Sequence, residues 1–323
     1  MQKLVELGFD MTKYDQLVFL FPSIVDFKGM GGLAYINFPI SIFKDIQIKD
    51  PFTLAHELGH NLYLQHSGNG TDKYADHNGL MGSPLTRFTS NLCFNGPKSF
   101  YLGWYTGYQR AVIPTLWSLD AQLFSIPDYF HDLFSQDQLL VVRIKGDDKD
   151  ESDLFVMFHE KAGITDGVEA DMALAVTQQK SDLQDSTLLT TIGSGGVFRR
   201  FNWSKTGNDL IVKFCGIEHE FENNIFGKTN KKYAHVQIFL DDGGKSNLSC
   251  APPPNPQDHA CVDSEKYVHD VNYVGGSVVM RTCTWLAYIA ERHEDRARDI
   301  CFRRFNPADH SCCQTCSMLN AGP

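Results

Sequence analysis

The chain has no long apolar run. Its most apolar C-terminal stretch, Val278 to Ala290, is short and broken by Arg281, well under the roughly 20 residues that a membrane helix needs. No membrane span is therefore expected. A basic excess is missing as well. The formal net charge is -10 over 323 residues, which argues against nucleic acid as a partner, because phosphate binding requires a positive surface. The first residues, Met1-Gln2-Lys3-Leu4-Val5-Glu6, do not lead from a basic region into an apolar core and a small-residue cleavage site, so they do not read as a signal peptide. Internal repeats are lacking, and low complexity is confined to one proline-rich tract. Cysteine is scarce through most of the chain. Only Cys93 and Cys215 precede Cys250, while seven of the nine cysteines lie between Cys250 and Cys316.

What is present is ordinary globular composition, with 42% hydrophobic and 21% charged residues, and enough length for about two domains with a sizeable core. Clustered cysteines occur together with three glycosylation sequons at Asn69-Gly70-Thr71, Asn202-Trp203-Ser204 and Asn247-Leu248-Ser249. The combination favours an oxidising compartment. The expectation is a secreted, disulfide-bonded glycoprotein whose true start lies upstream of Met1.

Four regions emerge from patterning. Residues 1–110 mix strand-like segments, Gln16 to Phe21 and Gly32 to Phe38, with a helix that opens at Asp50-Pro51. Asp suits the N-cap and Pro the first helical position. The helix is expected to run from Pro51 to about Tyr63, with Leu54, Leu58 and Leu62 packing on the core at helical spacing. Residues 111–241 carry short strand patterns around Leu139 to Ile144, Leu154 to Phe158, Met172 to Thr177, Leu210 to Cys215 and Val236 to Leu240. They predict an antiparallel β-sandwich. Residues 242–257 form a Pro-rich linker, and residues 258–323 a small cysteine-rich module. The acidic turn at 146–153 lacks a defined calcium-ligand spacing and reads as a solvated hairpin tip.

The chemistry concentrates in His56-Glu57-Leu58-Gly59-His60-Asn61-Leu62-Tyr63-Leu64-Gln65-His66. Histidines four apart on a helix share a face, so His56 and His60 can bind one metal. His66 then offers a third nitrogen and leaves one coordination position open, the arrangement of a catalytic zinc site. Gly59 inside a helix costs about 1 kcal/mol relative to alanine, which implies a packing reason. Apart from this motif, His77 reads as a surface residue, and His159, His219 and His235 as structural ones. Asp76 is expected to tie the loop after the motif to the active helix.

Further blocks accompany the motif. Lys73-Tyr74-Ala75-Asp76-His77-Asn78-Gly79-Leu80-Met81-Gly82, Cys93-Phe94-Asn95-Gly96-Pro97-Lys98 with Leu102-Gly103-Trp104, and upstream Gly32-Leu33-Ala34-Tyr35-Ile36 occur in order. Together they resemble the gametolysin (autolysin) family of zinc metallopeptidases, in the metzincin clan. The resemblance is strong over about residues 10–110. It implies an α+β metzincin-like catalytic domain, here N-terminally shortened, ahead of the sandwich and the cysteine-rich module. It also implies Zn2+ held by His56, His60 and His66, Glu57 as general base towards zinc-bound water, and Met81 as the methionine of a Met-turn beneath the metal. The implied substrate is polypeptide, cleaved at internal bonds of extracellular or cell-wall proteins, with the strand around Leu33 to Asn37 as the pairing edge. The tail, with Cys261, Cys283, Cys301, Cys312, Cys313 and Cys316, weakly resembles an ShK-like module.

One departure stands out. Where the family places glycine, this chain has Tyr63, at a bend that favours a left-handed backbone. Either the bend is taken at Asn61 or Gln65, or His66 is poorly placed. The second outcome would suit an inactive paralogue acting as an extracellular binding protein.

Overall fold

The computed structural model describes residues 13–25, 30–84, 91–115, 118–129, 138–146, 152–181, 184–219, 232–241 and 250, with residues 6, 8 and 10 and the backbone of 220–224, 227–231, 267–271 and 278–282. Residues Met1–Cys250 form one compact unit and Ala251–Pro323 another. In the second unit a hairpin pairs Tyr267–Val271 with Val278–Thr282. The six tail cysteines, the linker prolines and most of the acidic turn lie outside the described residues.

Among the described residues the first unit contains three sheets. The smallest has the order β1 (Leu17–Phe21), β3 (Ile40–Lys44), β2 (Gly32–Ala34). β1 runs parallel and β2 antiparallel to β3. Helix α1 (Pro51–Asn61) packs against β2 and β3. Its start is as expected: the Asp50 carboxylate accepts from the Phe52 N–H at 3.2 Å and from Thr53 Oγ1 at 2.6 Å, and Pro51 comes next.

The second sheet has six strands in the order β4 (Ser67–Asn69), β11 (Ser186–Ile192), β10 (Ala173–Gln179), β9 (Asp153–His159), β8 (Val141–Ile144), β5 (Gln109–Val112). The third has five, β12 (Val197–Arg200), β13 (Asp209–Asn224), β14 (Gly227–Asp241), β6 (Leu119–Phe124) and β7 (Gln138–Leu139). Alternation along β9 explains how they stack. Leu154, Val156 and Phe158 enter the largest core cluster with Leu123, Val212, Phe214 and Val236 of the third sheet. Phe155 and Met157 face the other way, towards Phe100 and Tyr101 of helix α2 (Gly96–Leu102). Every residue of β9 is thus buried.

The sandwich expectation needs one correction. The sheets are mixed rather than antiparallel, because β4 with β11, β5 with β8, and β6 with β7 pair in parallel. Parallel partners arrive from distant segments, a pairing that alternation within one segment does not encode. A second correction concerns α1. The residues it buries are His56, Glu57, Gly59 and His60, whereas Leu62 is 48% exposed and Leu54 and Leu58 are only half-buried. The helix turns its histidine face inward and leaves its leucine face at the margin.

Candidate metal centre

α1 ends in a way that answers the question raised by Tyr63. Tyr63 itself takes φ 74°, so the bend falls there and not at Asn61 or Gln65. The Leu64 N–H donates to the Gly59 carbonyl at 3.1 Å, and the Tyr63 N–H to the His60 carbonyl at 3.0 Å. These two bonds define a Schellman stop with Tyr63 at the position that glycine usually occupies. A left-handed backbone costs a tyrosine about 1–2 kcal/mol. With it the chain reverses, buries Leu64 and aims the Leu64 carbonyl back at the helix.

That carbonyl meets His60 Nδ1 at 2.7 Å. The Leu80 carbonyl meets His56 Nδ1 at 2.9 Å. A carbonyl only accepts, so each Nδ1 carries the proton and each Nε2 is left as a lone-pair donor. His66 completes the group. One ligand atom from each of His56, His60 and His66 lies within 4.8 Å of the others. The rings are packed together, with His56 and His66 stacked at 5.5 Å and His60 edge-on to His66 at 4.7 Å. This donor set fits a metal ion: three neutral imidazoles converge, and two have their second nitrogens tied to backbone carbonyls.

The electrostatics agree. Burial holds His56 down at about 4 and His66 at about 3, with neighbouring histidines adding to the effect, and burial also lowers His60. The rings are therefore neutral at pH 7, as ligands must be. Burial raises the Glu57 carboxyl to about 7, against a hydrogen bond from the Ala34 N–H. Glu57 lies directly under β2. A Cβ on Gly32 would sit 2.8 Å from Glu57 Cγ, so only glycine lets the strand approach this closely. Asn61 locks the turn after β2 above the helix, its amide donating to the carbonyls of Tyr35 at 2.9 Å, Phe38 at 2.7 Å and Ile40 at 3.1 Å.

Met81 is 1% exposed and lies beneath the helix. A Cβ on Gly59 would stand 2.4 Å from its sulfur, which is the packing reason that a mid-helix glycine required. Tyr74 lays its ring 4.4 Å from that of His66. Asp76 is fully buried, but it ties elsewhere than expected. Its carboxylate accepts from the Asn78 N–H at 3.0 Å and from Asn95 Nδ2 at 2.8 Å, so it links the loop to the start of α2 rather than to α1. Asn95 caps α2 and also donates to Ser67 and Ser186 Oγ.

The other histidines with described side chains stay apart from this group. His77 bonds the Ser83 carbonyl at 2.7 Å and is half-buried. His219 is exposed. His159 is buried, and its Nε2 has no partner among the described residues. His235 bonds Asp120 at 2.7 Å.

Residues 7–122 match the family model described as gametolysin peptidase M11. Over this segment, about a third of the chain, the sequence is similar to the gametolysin family. It is a family of metallopeptidases, and the matched residues contain the whole histidine group, Glu57 and Met81. No curated protein and no solved structure gives a match. The matched segment is continuous in space with later parts of the chain, since β4 and α2 of that segment contact β11 and β8–β10. Some residues of the site carried no sequence signal: the Leu64 and Leu80 carbonyls act through backbone, and Asp185 and Ser186 belong to no motif.

Proposed function

We propose that this chain is a zinc metalloendopeptidase that hydrolyses internal peptide bonds of extracellular or cell-wall proteins. His56, His60 and His66 hold the ion, and Glu57 acts as general base. The observation that carries this reading is the convergence of three neutral imidazoles beside one buried carboxyl. Zinc, when bound, acts as a Lewis acid that acidifies water and polarises a carbonyl.

The chain's own residues supply the rest. Glu57, beside His56 on α1, accepts a proton from the attacking water at its carboxylate and returns it to the departing amine. The Ala34 N–H and the overlying β2 backbone hold that carboxylate in place. β2 is an edge of its sheet among the described residues, and it offers backbone groups to an extended peptide, a mode with little side-chain preference. Met81 and Phe94 form an apolar floor under α1. No helix among the described residues is long and apolar enough to cross a membrane. The Cys215–Cys250 disulfide supports an extracellular setting, since such bonds persist in oxidising compartments.

The test is metal content together with cleavage of an unfolded protein such as casein. The purified chain is expected to carry near-stoichiometric zinc. Glu57→Gln is expected to keep the zinc and lose about 10²- to 10⁴-fold in rate, the usual contribution of a general base. Zinc-loaded wild-type chain that cleaves no unfolded substrate would overturn the peptidase reading and leave a metal-binding protein.

A further inference from the structure

His66 differs from the other two histidines in how it is held. His56 and His60 sit on a helix and have ring hydrogen bonds to carbonyls. His66 lies beyond the left-handed turn, just ahead of β4, and no hydrogen bond to its ring is seen among the described residues. Its backbone is gripped instead. The His66 N–H donates to Asp185 Oδ1 at 3.0 Å, across 119 residues of sequence. The His66 carbonyl accepts from the Ser186 N–H at 2.9 Å. Both peptide groups flanking this Cα are thereby fixed by two consecutive residues at the entry to β11, and Ser67 continues into the parallel pairing with Ser186.

The grip is itself supported from below. Lys98, fully buried in α2, donates from Nζ to the Gln184 carbonyl and to Gln179 Oε1, both at 2.9 Å. Ser186 Oγ lies 2.8 Å from Ser67 Oγ, and Asn95 reaches both. Asp185 is the one member of this chain of contacts that bonds a histidine directly through its side chain, and it lies well past residue 122, where the family match ends.

We propose that Asp185 is a positioning residue for the metal centre: its carboxylate fixes the His66 backbone so that the third imidazole meets the other two. The proposal rests on the three histidines being the metal ligands. Fixing the backbone on both sides of a single residue leaves its side chain few ways to swing, so the ring packed between His60 and Tyr74 keeps its place. Outer partners of this kind are commonly worth about 10- to 100-fold in metal affinity. They also alter coordination, which a simple loss of stability does not.

The test uses the full chain and reads zinc affinity by chelator competition, together with the visible spectrum of the cobalt(II)-substituted protein. Asp185→Ala is expected to weaken zinc binding by about 10- to 100-fold and to change the cobalt spectrum. Asp185→Asn keeps an oxygen acceptor in the same place and is expected to restore both readouts to near the wild-type values. If the alanine variant does not fold, Asp185→Glu serves, since it keeps the charge at an exposed position and displaces the acceptor by one methylene; it too is expected to weaken zinc. Folded alanine or glutamate variant with wild-type affinity and spectrum overturns the proposal. Wild-type chain that binds no zinc overturns the ligand assignment and this proposal with it. Wild-type chain that binds zinc without cleaving peptides overturns only the peptidase reading, and the affinity comparison still decides the role of Asp185.

Discussion

Among the described residues two regions bury histidines, and they do so in different ways. In the segment from α1 to Leu80, His56 and His60 are each tied at Nδ1 to a backbone carbonyl and converge with His66. In the sheet sandwich, His159 is buried alone, its Nε2 without a partner among the described residues, and His235 is paired with Asp120 and flanked by Glu218. Burial lowers His159 to about 4, much as it lowers His56, yet only the first group brings three nitrogens to one point. Burial by itself therefore does not make a ligand. Convergence sets the first group apart, and there two of the three rings have Nδ1 tied to a backbone carbonyl.

The largest expected effect separates the two regions by metal. His60→Ala should lose more zinc affinity than the roughly 100-fold attached to an outer partner, whereas His159→Ala should leave zinc content unchanged. Chelator competition on both variants measures this, and zinc loss in the sandwich variant would erase the distinction.

Next comes the floor of the site. Gly59→Ala should destabilise the chain by about 1–3 kcal/mol through overpacking against Met81, even though alanine is the better helix former by about 1 kcal/mol. Urea melts give the sign directly, and a stabilised variant would mean that Met81 is free to move aside.

Tyr63→Gly works in the opposite direction. It relieves about 1–2 kcal/mol of left-handed strain, less the entropy of the added glycine, for a net gain of roughly 1 kcal/mol. Thermal unfolding should show a higher midpoint with zinc affinity preserved. A drop in stability would indicate that the tyrosine ring contributes more than its backbone costs.

The smallest effect lies in the sandwich. The hydrogen bond to Asp120 raises the His235 pKa above its ordinary value, against burial. The protonated form is thus favoured in the folded state. Its contribution is complete below the unfolded pKa of about 6.5 and is lost as pH rises through the raised folded value. Asp120 itself is lowered, so its own contribution is constant in that window. Stability should fall as pH rises above about 6.5 in the wild type and fall less in Asp120→Asn, as measured by denaturant melts at each pH.

Legibility in the sequence divides along the same line. α1 and its cap are readable because Asp50-Pro51 and the histidine spacing are local signals. Strands such as β9 and β10 are readable because apolar residues run through them. β4, with the sequence Ser67-Gly68-Asn69, is a strand only because β11 pairs with it, and nothing in those three residues favours extension. β11 itself is rich in threonine and weakly apolar. Leu62 is expected in the core because it continues a helical stripe, but the helix stops there and the Schellman turn leaves it at the margin.

By itself, the sequence determined which side chains are the candidates for the chemistry, because the 3.6-residue period of a helix places His56 and His60 on one face with Glu57 alongside. Tertiary structure alone decided whether His66 could join them. A tyrosine had to hold a left-handed turn that only packing of Leu64 and its neighbours can stabilise. The ring had then to be aimed by Asp185 and Ser186, residues far along the chain that reach His66 only once the sheet has closed.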